Sequence, residues 1–119
     1  SETNPDLNDE PVGVFEMSNF EPDDPPHGWN DCHFQWNEGA NDGFVKAHEE
    51  EWPDSKEECM GYHVADHLPV LWSLADNYTL CDNWYAALLG ATWCNRYYLH
   101  CGTSNGDRAL WSPANARTS

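Results

Sequence analysis

A chain of 119 residues is at most one domain and can bury only a small core. Its 21 Asp and Glu against five Lys and Arg give a formal net charge of −16. That charge argues against partners such as nucleic acid and anionic membrane surfaces, and no apolar run is long enough to span a bilayer. The acidity is lopsided. Residues 1–60 hold 17 carboxylates against Lys46 and Lys56, whereas residues 61–119 hold Asp66, Asp76, Asp82 and Asp107 against Arg96, Arg108 and Arg117. Solubility and adaptation to high salt both account for such a composition.

In chain order, residues 1–26 are rich in Asp, Glu, Asn and Pro and show little periodicity. They read as an acidic irregular segment, with at most a short strand over Val12–Phe15. His27–Trp36 is dense in His and Trp. Asn37–Gly43 carries Gly and Asn and predicts a turn. Asp42 is placed to cap a helix running to about Glu51, where Trp52-Pro53 stops it, with Phe44, Ala47 and His48 on its inner face. A connector over Lys56–Tyr62 leads to Asp66, a suitable N-cap. Leu68, Leu71, Trp72 and Ala75 then fall at i, i+3, i+4 and i+7, which predicts a helix from about His67 to Asn77. Tyr78–Tyr85 is β-branched and aromatic and reads as a strand. Ala86–Gly90 extends it or turns. After the small-residue pair Gly90-Ala91, a helix runs from Trp93 to about His100 and ends at Gly102. Residues 107–119 form an irregular tail.

The residue types that can carry chemistry gather late in the chain. Thr92 lies between a tight loop and a helix start, where the positive end of the helix dipole suits a phosphate. The same position is an ordinary site for a Thr N-cap. Arg96, one turn later, can face a bound phosphate or pair with a carboxylate. His27 and His33 can serve as general acid, metal ligand or phosphate donor, but they are six apart rather than at the i, i+4 of a helical metal pair and read first as surface or core histidines. Asp76 and Asp82 flank the predicted strand. Glu49-Glu50-Glu51 reads as a solvated face. The five Cys are odd in number and form no CxxC pair, so no zinc-site spacing is present; free thiols and long-range disulfides both remain open.

Three blocks together resemble a known family. They are HGWNDCHFQWNEGANDGFV (His27–Val45), MGYHVADHLPVLWSLA (Met60–Ala75) and YTLCDNWYAALLGATWCNRYYLHCGT (Tyr78–Thr103). In that order they resemble the phosphoesterase family of bacterial phospholipases C and related acid phosphatases, within the alkaline-phosphatase-like superfamily. The resemblance implies that residues 27–106 are an internal segment of a three-layer α/β core. It also implies that Thr92, at the position of the family's G-P-T hydroxyl, is a nucleophile that forms a phospho-enzyme and touches a divalent metal ion. His27 matches the H-x-W histidine near the phosphate. Asn95 and Arg96 match the N-R pair that binds phosphate or shapes the loop.

The departures are specific. Ala91 and Cys94 stand where the family has proline, which loosens the loop, and Asn41 replaces the Met of M-D-G-F. The family's E-N-R-S-F-D-H metal block has no counterpart, and its later Asp and His ligands fall beyond Ser119. The implied partners are a phosphate ester or phospholipid substrate and the remainder of an enzyme chain, with secreted or periplasmic location. On this reading the segment is inactive alone. A non-catalytic acidic binding module derived from the family is the alternative.

Overall fold

The computed structural model describes residues 2–108. The tail predicted as irregular lies, from residue 109 onward, outside the described residues.

β1 (Thr3–Pro5) and β2 (Pro11–Gly13) form an antiparallel hairpin in which Thr3 opposes Gly13 and Pro5 opposes Pro11. Its turn is organised by Asp6. One carboxylate oxygen of Asp6 accepts the N–H groups of Asn8 (2.8 Å) and Glu10 (2.9 Å), and the other meets Lys56 Nζ at 2.6 Å. The Lys56 ammonium, followed by the Glu10 N–H, holds the Asp6 carboxyl below its ordinary value, and Asp6 in turn holds the Lys56 ammonium above its own. β3 (Phe15–Glu16) pairs in parallel with β4 (Gly61–Tyr62). Residues 1–26 are therefore not irregular throughout. Composition misled because the partners that order this stretch lie 35 to 50 positions away.

α1 (Trp29–Trp36) was not anticipated. Its start is closed by Asp31, whose carboxylate accepts the Gly28 N–H at 2.9 Å, and Trp29 contacts His33 one turn on, with ring centroids 4.3 Å apart. Asn37 ends the helix in the left-handed conformation (φ 40°). α2 (Phe44–Glu51) begins at Gly43 rather than at Asp42, and Asp42 instead accepts a hydrogen bond from the Asn37 amide. A side chain at position 43 would collide with the Phe34 carbonyl, so glycine lets α2 pack against α1. The cap of α2 is long-range: Asn4 Oδ1 accepts the Val45 N–H at 3.0 Å while the Asn4 amide donates to the Asn41 carbonyl at 2.8 Å. The inner face is Val45, Ala47 and His48; Phe44, expected inside, is 42% exposed.

Around α2 sits the larger part of the core: Met17, Val45, Ala47 and His48 are buried with the polar pair Asn4 and Asp6. The strap over residues 19–26 is tied down by Asp23 N–H to Glu58 (2.8 Å), Ser55 Oγ to Asp23 (2.6 Å) and Trp52 Nε1 to the Asp24 carbonyl (3.0 Å).

The second half differs. α3 (Pro69–Asn77) has Leu68 rather than Asp66 at its N-cap and buries none of its residues. Its apolar stripe is real in sequence but faces solvent, with Leu71 59% exposed. Tyr78–Tyr85 is extended or turned, not a strand. A strand needs a ladder partner, and among the described residues the only sheets are the pairs β1–β2 and β3–β4. α4 (Thr92–Cys101) ends at Gly102 with φ 71°. The chain is thus mixed helix and strand, in keeping with an α/β class.

Candidate active site

The loop before α4 is held by a single side chain. Asn95, on the first turn, accepts the Leu88 N–H on Oδ1 at 2.9 Å. Its amide nitrogen lies 2.9 Å from the Leu88 carbonyl and 3.3 Å from those of Gly90 and Ala91. These contacts close the backbone of residues 88–91 over the helix start. Ala91 and Cys94 are fully buried beneath it. Gly90 has its own reason: a Cβ there would lie 3.2 Å from the Trp29 ring, so the loop rests on the first turn of α1.

Thr92 is the first residue of α4, and Ala91 is its N-cap. The hydroxyl is therefore not the cap acceptor, and Thr92 is exposed. It opens into a cleft of about 630 Å³ whose lining includes Trp84, Tyr85, Asn95, Arg96, Leu99 and His100. Thr92, Arg96 and His100 recur at i, i+4 and i+8, so one face of α4 supplies the floor. The Arg96 guanidinium lies 5.5 Å from the Trp93 ring centre, a cation–π contact that steadies a long side chain next to the hydroxyl.

Of the residues singled out by sequence, Thr92, Asn95 and Arg96 thus share one cleft. His27 does not. It lines a separate, smaller depression with Asp24, Asp31 and Glu51. Its Nδ1 sits 2.8 Å from the Pro25 carbonyl and 3.7 Å from the Asp24 carboxylate. The link between the two places is Trp29, two residues after His27, through its contact with Gly90. Asp82 is exposed and hydrogen-bonds only locally, with Asn83. Asp76 lines a different groove beside Leu71 and Leu74. Sequence reasoning missed Trp84, Tyr85 and His100. The i+8 spacing from Thr92 was a usable signal for His100; nothing in the periodicity marked the two aromatics.

Three of the five thiols are poorly placed to act as nucleophiles. Burial pushes the Cys32, Cys59 and Cys94 thiols up, Cys59 to about 11, so thiolate is scarce at neutral pH. No group of three or more His, Cys, Asp or Glu side chains that could hold a metal ion occurs among the described residues. The residues present therefore do not by themselves fit the divalent cation that the resemblance implies. No helix among them is long and apolar enough to cross a membrane.

Comparison with known proteins gives this geometry a context. Residues 2–118 match the model of the Phosphoesterase family. Phospholipase C B of Mycobacterium tuberculosis is 39% identical over 77 residues, covering 63% of this chain and 15% of that protein. Non-hemolytic phospholipase C of Burkholderia pseudomallei is 31% identical over 112 residues, 86% of this chain and 15% of that protein. Non-specific phospholipase C5 of Arabidopsis thaliana is 30% identical over 115 residues, 85% of this chain and 22% of that protein. The chain thus spans less than a quarter of each of these relatives. It belongs to the phosphoesterase family.

Proposed function

We infer that this member of the phosphoesterase family supplies the nucleophile-bearing part of an enzyme that hydrolyses phosphate esters, with phospholipids as the substrate class. The observation that carries the reading is the placement of Thr92: an exposed hydroxyl at the first position of α4, above a loop locked by Asn95. In the reaction Thr92 Oγ1 attacks phosphorus. The new O–P bond forms as the bond to the leaving oxygen breaks, the hydroxyl proton ends on the departing alcohol, and the phosphoryl group passes to Thr92 before water removes it. Positive charge at the helix start and on Arg96 favours the anionic phosphoryl oxygens. Asn95 fixes the direction of approach by holding residues 88–91. The family motif assigns His27 to the neighbourhood of the phosphate, whereas here it lines a separate depression.

The divalent cation of the proposal would draw its other ligands from outside the described residues, beside the Thr92 hydroxyl. When bound, it would supply Lewis-acid charge and a lowered hydroxyl pKa. A three-layer alkaline-phosphatase-like core and secreted location belong to the same proposal and rest on the family resemblance. The alternative, an acidic module that binds without catalysis, draws on the lack of a ligand cluster among the described residues.

The test is Thr92→Ala beside Thr92→Ser in the polypeptide that carries this segment. Thr92→Ala should lower turnover of a phosphate ester by about 10³-fold or more, the scale of losing a covalent nucleophile. Thr92→Ser should retain a measurable fraction and trap a phosphoserine. Full activity in Thr92→Ala would remove the nucleophile assignment. An inactive parent whose binding is indifferent to Thr92 would favour the module.

A further inference from the structure

The cleft above α4 is chemically two-sided. Its lining combines the hydroxyl, the amide and the guanidinium of Thr92, Asn95 and Arg96 on α4 with the large apolar side chains of Trp84, Tyr85 and Leu99. Trp84 is 75% and Tyr85 78% exposed. Large aromatics left this open beside a polar floor are costly in water unless something covers them. The Tyr85 hydroxyl lies 3.0 Å from Asn83 Oδ1, so its polar end is already satisfied within its own loop. Ligand pockets of this kind divide the work: a few polar groups orient, and apolar walls supply affinity.

We propose that Trp84 and Tyr85 form a subsite for the apolar alcohol portion of a phospholipid, the glycerol-ester side of the scissile phosphate. This rests on the reading of Thr92 as the group facing phosphorus. Three features select the occupant. Trp84 and Tyr85 line the same cleft as Thr92, so a ligand with its phosphate at the hydroxyl has them within that cleft. Arg96 is the cation in the cleft and matches the phosphate, which leaves the aromatic wall for the uncharged part. The strongly acidic chain gains nothing from a second anionic group, so affinity beyond the phosphate must come from apolar contact.

Binding to the polypeptide that carries this segment, in its Thr92→Ala form, tests this without turnover. The probes are a short-chain diacyl phospholipid below its micelle concentration and glycerol phosphate, titrated calorimetrically. The phospholipid should bind at least about tenfold more tightly than glycerol phosphate, the scale of covering one aromatic ring. Trp84→Ala and Tyr85→Ala should each remove most of that preference and leave glycerol phosphate within about twofold. Trp84→Phe, a conservative change that keeps a ring, should retain the preference. Equal affinity of the Thr92→Ala form for both probes, or no binding of the phospholipid, overturns the subsite. So does an alanine variant that weakens both probes alike while Trp84→Phe restores neither. A Thr92→Ala enzyme that still turns over, with the aromatic preference intact, would instead overturn the nucleophile and leave the wall standing.

Discussion

Residues 2–62 and residues 69–108 solve the same problem in opposite ways. The first region has little apolar material and only short strands at its start, yet it buries Met17, Val45, Ala47 and His48 and ties distant segments together by side chain to backbone hydrogen bonds. The second is far more apolar, yet α3 buries nothing, and Tyr78, Leu80, Trp84 and Tyr85 stand open to solvent. Hydrophobic content and burial are separate quantities: an apolar stripe is buried only where the chain supplies something to cover it. In the first region polar groups with fixed partners do the organising. In the second Asn95 is such a device, and it organises a loop, not a core.

The largest effect should come from the first region. Asn4 is buried and serves α2 from 41 positions away through the Val45 N–H. Asn4→Ala leaves that buried N–H without its acceptor and the Asn41 carbonyl without its donor. A loss of about 1–3 kcal/mol in urea unfolding is expected. Asn95→Ala breaks more contacts, but the site is only part-buried, so water can replace them. It should cost under about 1 kcal/mol globally while speeding hydrogen exchange at the Leu88 N–H. A larger global loss from Asn95→Ala than from Asn4→Ala would reverse the contrast between the regions.

That pair also shows what the sequence could and could not reveal. α4, its Gly102 end and the loop before Thr92 follow from local spacing, and so were legible. So was the stop at Trp52-Pro53. Local spacing also located α2, yet the choice of buried face went to Val45 rather than Phe44, because the hairpin, not the helix, decides which side is covered. Asn4 and Asp6 read as members of an acidic linker, since their partners Val45 and Lys56 are invisible to any window of neighbouring residues. Tyr78–Tyr85 has the residue types of a strand without a partner to pair with, and residue type alone does not make a sheet. In the site, the hydroxyl was marked by its position before a helix, and Asn95 and Arg96 by the family motif. The exposed aromatics that share their cleft carry no local signature.

A smaller effect separates the regions by pH. The Asp6 carboxyl is held below its ordinary 3.8 by Lys56 and by the Glu10 N–H. A carboxyl depressed in the folded state contributes stability above its unfolded value and loses it as pH falls through the folded one. The excess stability of the parent over Asp6→Asn should therefore be constant near neutrality and shrink below about pH 4. The Lys56 ammonium, raised above 10.5 chiefly by Asp6, gives the opposite sign: its share is present at neutral pH and fades as pH rises through its folded value. Urea midpoints measured across acid pH check the first part. A parent and an Asp6→Asn variant that lose stability in parallel would mean that the pair contributes nothing in solution.

The smallest effect on folding belongs to α3, and it is the sharpest test of the comparison. Leu71 and Leu74 are 59% and 49% exposed. Gln matches Leu closely in helix propensity, so Leu71→Gln with Leu74→Gln removes apolar surface without disturbing the helix itself. If the face is as open as the structure has it, the change in unfolding free energy stays within about 0.5 kcal/mol, the range of surface substitutions away from packed features. The same pair should raise solubility and lower self-association in sedimentation velocity, because an uncovered apolar face is also a sticky one. A destabilisation above about 2 kcal/mol, the scale of losing buried leucines, would show that the face is covered in solution by this chain or by a second copy. Dependence of that loss on protein concentration would single out the second copy. The two regions would then differ only in what covers them, not in whether they are covered.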